Sequence, residues 1–408
     1  MGRARNPGTG FLLYTGPMKW QQVLRKYLRR CPTGSGDFTS DLDKYVPGNR
    51  LELLNTGEEA FAAMAEAVSA ARQTVHLETY IFASDETGRD FARRIMAKAR
   101  QGVSVRLVFD SVGSMDLDPV LLSEMAAAGV RVLEYHPLAP WRPRWAWSRR
   151  DHRKILVVDG RVAFTGGMNI SRDHLSSGER GEGWHDMHLR IEGPAANELD
   201  RLFREVWFKE TRESFPLPGS PEGHPVNSLV WVAANQEFLH RHRIRRAYID
   251  ALRAARREVC IANAYFIPDH GIRKALAAAV RRGVSVRILV QGCSDHPSVW
   301  RAGRRTYEEL LRCGVRLFQW QGAVMHSKAA VVDGVWCSIG SYNLDHRSLL
   351  HNLEVNLKIL DCGLAAKMKT RFEADLRQAQ ELTREDWSRR PWFDKLREGF
   401  WYQFRYFF

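Results

Sequence analysis

Short apolar runs alternate with amphipathic stretches along this chain, and the alternation is written twice. In the first half Val75–Phe82 reads as a strand, Arg89–Arg100 as an amphipathic helix and Val103–Phe109 as a second strand. Pro119–Ala128 and Val130–Tyr135 continue the pattern as helix and strand. Gly102-Val103-Ser104-Val105-Arg106 recurs as Gly283-Val284-Ser285-Val286-Arg287, and Gly129-Val130-Arg131 as Gly314-Val315-Arg316. Tyr80-Ile81-Phe82 has its counterpart in Tyr265-Phe266-Ile267. Strand–helix alternation of this kind predicts an α/β fold whose parallel-rich sheet is covered by helices.

Lys154–Val158 and Lys328–Val332 are apolar strands that end at Asp-Gly, a tight-turn dipeptide. Return strands follow at Arg161–Thr165 and Val335–Ile339, and a Pro/Gly-rich run from Phe215 to Gly223 separates the two copies. A chain of 408 residues suits two domains of ordinary size. The expected organisation is a segment over 1–48, a first repeat over 49–214, a linker over 215–228, a second repeat over 229–380 and a tail over 381–408.

The repeats carry a matched set of reactive side chains. One copy reads His152-Arg153-Lys154, Asp159, then Gly166-Gly167-Met168-Asn169. The other reads His326-Ser327-Lys328, Asp333, then Gly340-Ser341-Tyr342-Asn343, with every internal spacing the same. The two halves are expected to pack face to face about a pseudo-twofold axis, because only then do both sets meet.

Such a site would hold two imidazoles, two ammoniums and two carboxamides. One histidine can attack phosphorus while the other protonates a leaving alcohol oxygen. Lys154, Lys328, Asn169 and Asn343 can cage the phosphoryl oxygens, work that metals do elsewhere, so neither metal nor cofactor is expected. An imidazole needs a partner on its second nitrogen. Asp186 and Glu354 each lie downstream of the histidine of their own copy and are expected to orient it. Asp159 and Asp333 are counted with the catalytic set, although each sits at an Asp-Gly turn that its carboxylate could organise instead.

Composition narrows the partners. A net charge of +14 and a pI near 9.7 favour a polyanion, either nucleic acid or an anionic membrane surface. No run approaches the roughly eighteen apolar residues of a transmembrane helix, and no signal peptide is read at the amino terminus. The six cysteines show no C-x-x-C spacing and read as reduced thiols of a cytoplasmic protein.

The two signatures resemble the paired HKD motifs of the phospholipase D superfamily, over roughly residues 49–380. Within it, Gly340-Ser341-Tyr342-Asn343-Leu344-Asp345-His346-Arg347-Ser348 followed by Asn352-Leu353-Glu354 is similar to the bacterial cardiolipin synthases. So are Ala264-Tyr265-Phe266-Ile267-Pro268 and the Trp184–Gly193 segment, and the shorter B subgroup is the nearest in type. The resemblance implies two α/β/α sandwich halves with the site between them. It also implies transfer of a phosphatidyl group between two phosphatidylglycerols, giving cardiolipin and glycerol, with the group carried on one histidine, usually the first.

Three segments suit a lipid surface. Trp20, Val23, Leu24, Tyr27 and Leu28 line one face of a basic helix. Trp141, Trp145 and Trp147 are interleaved with arginines in an insertion the second copy lacks, and Phe400–Phe408 forms an aromatic tail. The expected partners are anionic phospholipids and the membrane surface, without nucleic acid, and the expected location is peripheral, on the cytoplasmic side of a bacterial inner membrane. A nuclease or a phospholipase with the same paired site is the rival reading.

Overall fold

The computed structural model describes residues 38, 41–142, 144–176, 183–216, 219, 228–235 and 242–407. The predicted amphipathic helix around Trp20 and most of the 215–228 linker lie outside these residues. The first half contributes strands β1 (Val46–Leu54), β2 (Thr74–Thr79), β3 (Ser104–Asp110), β4 (Arg131–Tyr135), β5 (Ile155–Val158), β6 (Val162–Gly166) and β7 (His188–Glu192). The second contributes β8 (Ser228–Asn235), β9 (Glu258–Asn263), β10 (Ser285–Val290), β11 (Arg316–Trp320), β12 (Lys328–Val332), β13 (Trp336–Gly340) and β14 (Glu354–Leu360). A short β15 (Ala379–Leu382) borders β11.

Strand neighbours run β15-β11-β10-β9-β12-β13-β14-β8-β1-β7-β6-β5-β2-β3-β4. Outward from the centre, β1-β7-β6-β5-β2-β3-β4 repeats β8-β14-β13-β12-β9-β10-β11 place for place, so a pseudo-twofold axis passes between β1 and β8. That antiparallel seam is irregular, its register shifting between Val46 and Asn49. Buried Asn49 ties it down. Its amide donates to the Val46 carbonyl at 2.7 Å, and its side-chain oxygen accepts from Ala195 N–H at 2.8 Å.

The sheet is mixed rather than parallel-rich, which corrects the sequence expectation. Among the described strands only β2–β3–β4 and β9–β10–β11 run parallel; the remaining neighbours are antiparallel. The helices join the parallel strands, whereas the signature strands turn straight back through tight Asp-Gly turns, which forces antiparallel pairing. The helix expected at Arg89–Arg100 spans Glu86–Arg100, capped by the Asp85 carboxylate accepting from Gly88 N–H at 2.9 Å. It buries Phe91, Ala92, Ile95 and Met96 against the first half's sheet.

The inner faces of both halves share one core. Helices Pro194–Thr211 and Cys362–Leu376 place Leu199, Leu202, Leu364 and Met368 among Ile155, Leu189, Ile191, Val331, Ile339 and Leu357. Each fully buried Leu or Ile contributes about 1.5–3 kcal/mol, so face-to-face packing is strongly favoured and holds the signature strands of both halves against one layer.

Each signature Asp-Gly forms a type I′ turn, with φ of 52° and 66° at Asp159 and Gly160 and of 53° and 68° at Asp333 and Gly334. Asp159 accepts from the backbone N–H groups of Arg72, Gln73 and Thr74 at 2.9, 2.8 and 2.8 Å. Asp333 accepts from Arg256, Arg257 and Glu258 at 2.8, 2.9 and 3.0 Å. Their inclusion in the catalytic set is therefore corrected. The carboxylates are spent clasping the loops that lead into β2 and β9, at the opposite ends of β5 and β12 from the lysines. Asp159→Ala or Asp333→Ala should lower stability by about 2–3 kcal/mol in urea unfolding, while the folded fraction keeps its turnover.

The carboxy-terminal tail forms a helix, Trp392–Gln403, anchored by buried Glu398 between Arg304 and Arg390. It leaves Trp392, Phe393, Leu396, Phe400 and Phe404 exposed, as are Trp141, Trp145 and Trp147 of the insertion. No described helix is long and apolar enough to cross a membrane. Cys260, Cys293, Cys313 and Cys337 are free thiols, but Cys362 is disulfide-bonded, a correction to the expectation of reduced cysteines throughout.

Candidate active site

Each signature loop is stitched to a segment of the opposite half. His152 N–H donates to the Leu353 carbonyl at 3.0 Å, and Leu353 N–H returns a bond to Arg150 at 2.9 Å. His326 N–H donates to the His185 carbonyl at 2.8 Å, and His185 N–H to Val324 at 2.8 Å. These bridges carry each histidine past the carboxylate that follows its partner. His152 Nδ1 lies 3.0 Å from both oxygens of Glu354, and His326 Nδ1 lies 2.9 Å from Asp186 Oδ2. Asp186 and Glu354 do hold the imidazoles, but each holds the one from the other copy, which corrects the within-copy pairing expected from sequence order.

The lysines follow their histidines into the site. Lys154 Nζ donates to the His152 carbonyl at 2.8 Å, and Lys328 Nζ donates to that of His326. Tyr80 meets the His152 ring edge-on at 5.0 Å and lies 5.2 Å beneath the Lys154 ammonium. Tyr265 takes the equivalent place, 6.2 Å from His326 and 5.9 Å from Lys328. Asn169 and Asn343 are buried just beyond β6 and β13; Asn343 Oδ1 has no hydrogen-bond partner among the described residues, while Asn169 Oδ1 accepts from Ile81 N–H at 3.3 Å. All the expected residues except the two aspartates of the turns thus converge on one place.

Burial governs the charges. It pulls both histidines well below the usual imidazole value, helped by Lys154 and Lys328. It lowers Lys154 to about 7 and Lys328 to about 8, against the pull of Glu354 and Asp186 respectively. It raises Glu354 to about 7 and raises Asp186 as well. Burial thus works against charge on both members of each histidine–carboxylate pair. A lysine with a lowered value loses its proton as pH rises through that value. In the free enzyme kcat/KM should accordingly fall between about pH 7 and 8. A profile flat to alkaline pH would show that the ammonium charge is dispensable.

His174, Asp186 and His326 bring nitrogen and carboxylate atoms within 4.8 Å of one another, a spacing a metal ion could use. Asp186 and His326 are already bonded together, and the Lys328 ammonium acts on both, so this donor set fits imidazole orientation better than a cation.

A buried ionic group beneath the first signature had not been anticipated. Glu78, Asp110, Arg150, Asp151 and Arg153 are all essentially inaccessible. Asp110 accepts from Asp151 N–H at 2.8 Å and faces Arg150 at 3.6 Å, and Arg153 faces Glu78 at 3.6 Å. Strand register sets Ala262 in the second half where Glu78 lies, and Gln291, Val324, Met325 and Ser327 take the other places. The available signal was a glutamate inside the apolar strand Val75–Phe82. Ser341 and Asn352, which donate to Glu354, were also missed.

The family profile for the phospholipase D-like domain of cardiolipin synthase matches residues 64–207 and 248–376. A cardiolipin synthase of Geobacillus kaustophilus is 35% identical over 85% of this chain and 70% of its own length. Cardiolipin synthase A of Pseudomonas entomophila is 35% identical over 84% of this chain and 71% of its own. A probable cardiolipin synthase of Bacillus subtilis, YwiE, is 31% identical over 86% and 71%. Among solved structures, phosphatidylserine synthase of Haemophilus influenzae superposes with a TM-score of 0.64 at 12% identity, covering 95% of this chain and all of that one. Polyphosphate kinase of Porphyromonas gingivalis gives 0.56 at 17% identity over 83% and 49%. These two show the shared fold.

Proposed function

Since the chain belongs to the cardiolipin synthase family of phospholipase D-like enzymes and is a phosphatidyltransferase, we propose that it joins two phosphatidylglycerols into cardiolipin and releases glycerol. His152 Nε2 attacks phosphorus, the P–O bond to the glycerol headgroup breaks, and His326 gives its proton to the departing oxygen. The phosphatidyl group then rests on His152. His326, now neutral, takes the proton of a hydroxyl on the second phosphatidylglycerol, whose oxygen attacks phosphorus and frees His152. Lys154, Lys328, Asn169 and Asn343 hold the phosphoryl oxygens as charge develops. Glu354 and Asp186 fix the two rings so that each presents Nε2.

The observation that carries this reading is the pair of crossed histidine–carboxylate contacts, each at 2.9–3.0 Å. Two poised imidazoles on one centre are what a transfer with a covalent intermediate requires. Purified protein should therefore convert phosphatidylglycerol vesicles to cardiolipin and glycerol in equal amounts, measured by mass spectrometry. Phosphatidic acid as the main product would mean a phospholipase, and cleavage of plasmid DNA without lipid turnover a nuclease.

The partner surface is the anionic bilayer that holds the substrate. Exposed Trp141, Trp145, Trp147, Trp392, Phe400 and Phe404 offer interfacial side chains, and the basic charge supplies attraction. Peripheral attachment on the cytoplasmic side fits these features. The protein should co-sediment with phosphatidylglycerol vesicles in preference to neutral ones, and high salt should release only part of it. Complete release by salt would leave the aromatic side chains without a role.

A further inference from the structure

We propose that His174 is a positioning residue for His326, acting through Asp186 during proton transfer to the leaving headgroup. This rests on the assignment of His326 as the proton carrier.

The two halves solve one local problem differently. Five residues beyond Asn169, His174 Nε2 accepts the Asn169 backbone N–H at 3.1 Å. Five residues beyond Asn343, Ser348 Oγ accepts the Asn343 N–H at 3.3 Å. A hydroxyl is thus sufficient for the backbone bond, and an imidazole in its place must be explained by what else it reaches. The ring is buried, edge-on to Trp184 at 5.5 Å, with Trp184 in turn 5.3 Å from His326. With Nε2 accepting, a neutral ring carries its proton on Nδ1. Burial keeps the ring neutral, and Nδ1 has no hydrogen-bond partner among the described residues. A nitrogen of this ring belongs to the cluster in which atoms of His174, Asp186 and His326 lie within 4.8 Å of one another, and the Asp186 charge acts on the ring.

Asp186 is the lightly held carboxylate of the two. Besides His326 it accepts from Met187 N–H at 2.7 Å. Glu354 accepts from the Ser341 hydroxyl and, at 3.2 Å, from the Asn352 amide as well as facing His152. Gly167 stands where the second half has Ser341, and a Cβ there would overlap the Asp186 oxygens. Glu354 is therefore locked, whereas Asp186 can divide its charge between His326 and His174. While His326 is an imidazolium, Asp186 pairs with its Nδ1–H. Once the Nε2 proton has gone to the leaving oxygen, that attraction weakens and His174 Nδ1–H takes up the carboxylate charge. Asp186 stays ionised and His174 stays neutral throughout, so no proton is gained or lost.

His174→Ser tests this, because it keeps an acceptor for Asn169 N–H in the form the second half already uses. Two donors are compared: phosphatidylglycerol, whose alkoxide must be protonated, and phosphatidyl-p-nitrophenol, whose phenolate leaves without a proton. Turnover of phosphatidylglycerol should fall roughly 10- to 100-fold at unchanged KM, while single-turnover release of nitrophenolate stays close to wild type. Equal loss on both donors, or no loss on either, would overturn the proposal. Should His174→Ser fail to fold, His174→Asn supplies an equivalent acceptor for the same comparison. His326→Ala is run beside it. If that variant also loses nitrophenolate release, the assignment of the histidines fails, independently of what His174 does.

Discussion

Glu354→Gln should cripple His152, and Asp186→Asn should cripple His326, each by about four orders of magnitude in phosphatidylglycerol turnover. The size follows the loss seen when the carboxylate behind a catalytic imidazole becomes an amide and the ring presents the wrong tautomer. The informative part is which step fails. Glu354 faces His152 across the two halves, so Glu354→Gln should form no phosphatidyl-enzyme, even from a p-nitrophenyl donor. Asp186 faces His326, so Asp186→Asn should still release nitrophenolate once and then stall with the lipid attached. Acid-quenched mass spectrometry would detect the adduct. The opposite pattern, with the adduct in Glu354→Gln alone, would exchange the roles of the two histidines.

Arg153→Met should be among the most destabilising single substitutions available outside the site itself. Arg153 is the cation facing Glu78, and both are shut away from water together with Asp151. Burial already raises Glu78 and Asp151, and removing the arginine leaves them without compensation. Breaking a buried pair from one side costs about 3–5 kcal/mol, which urea unfolding would resolve easily. Replacing the group as a unit should behave differently. The second half manages with Ala262, Met325 and Ser327 at the corresponding places, so the triple variant Glu78→Ala, Asp151→Met, Arg153→Ser should recover most of the loss. If the triple variant is less stable than Arg153→Met alone, the ionic group contributes net stability.

How far the sequence could be read followed from which interactions are local. Strand and helix positions were legible because burial imposes its period on neighbouring residues, and Glu86–Arg100 and Pro119–Ala127 fell close to expectation. Strand direction was not. A strand buried on both faces has the same apolar composition whichever way it runs, so the antiparallel return of β5 and β6 was readable only at Asp159-Gly160. The histidines and lysines stood out through duplication. Their carboxylates, Asp186 and Glu354, were legible too, but which histidine each serves was not, since order along the chain records covalent distance while both reach across the pseudo-twofold axis. The charged group was hidden because Glu78 lies within an apolar strand while Arg150 and Arg153 flank His152 on a loop, and nothing in the local pattern says that this loop will be folded under the sheet.

The crossed carboxylates also constrain how such a chain could arise and change. A single half carries a histidine without its carboxylate and a carboxylate without its histidine, so it has no complete catalytic pair of its own. An ancestor with one copy would have needed a twin to work, and fusing the two genes would have made that partnership permanent. After fusion the copies no longer had to remain identical, and they differ at His174 against Ser348, Gly167 against Ser341 and Glu78 against Ala262. Selection could then shape a donor side and an acid side separately, while any substitution at one carboxylate would be felt by the histidine inherited with the other copy.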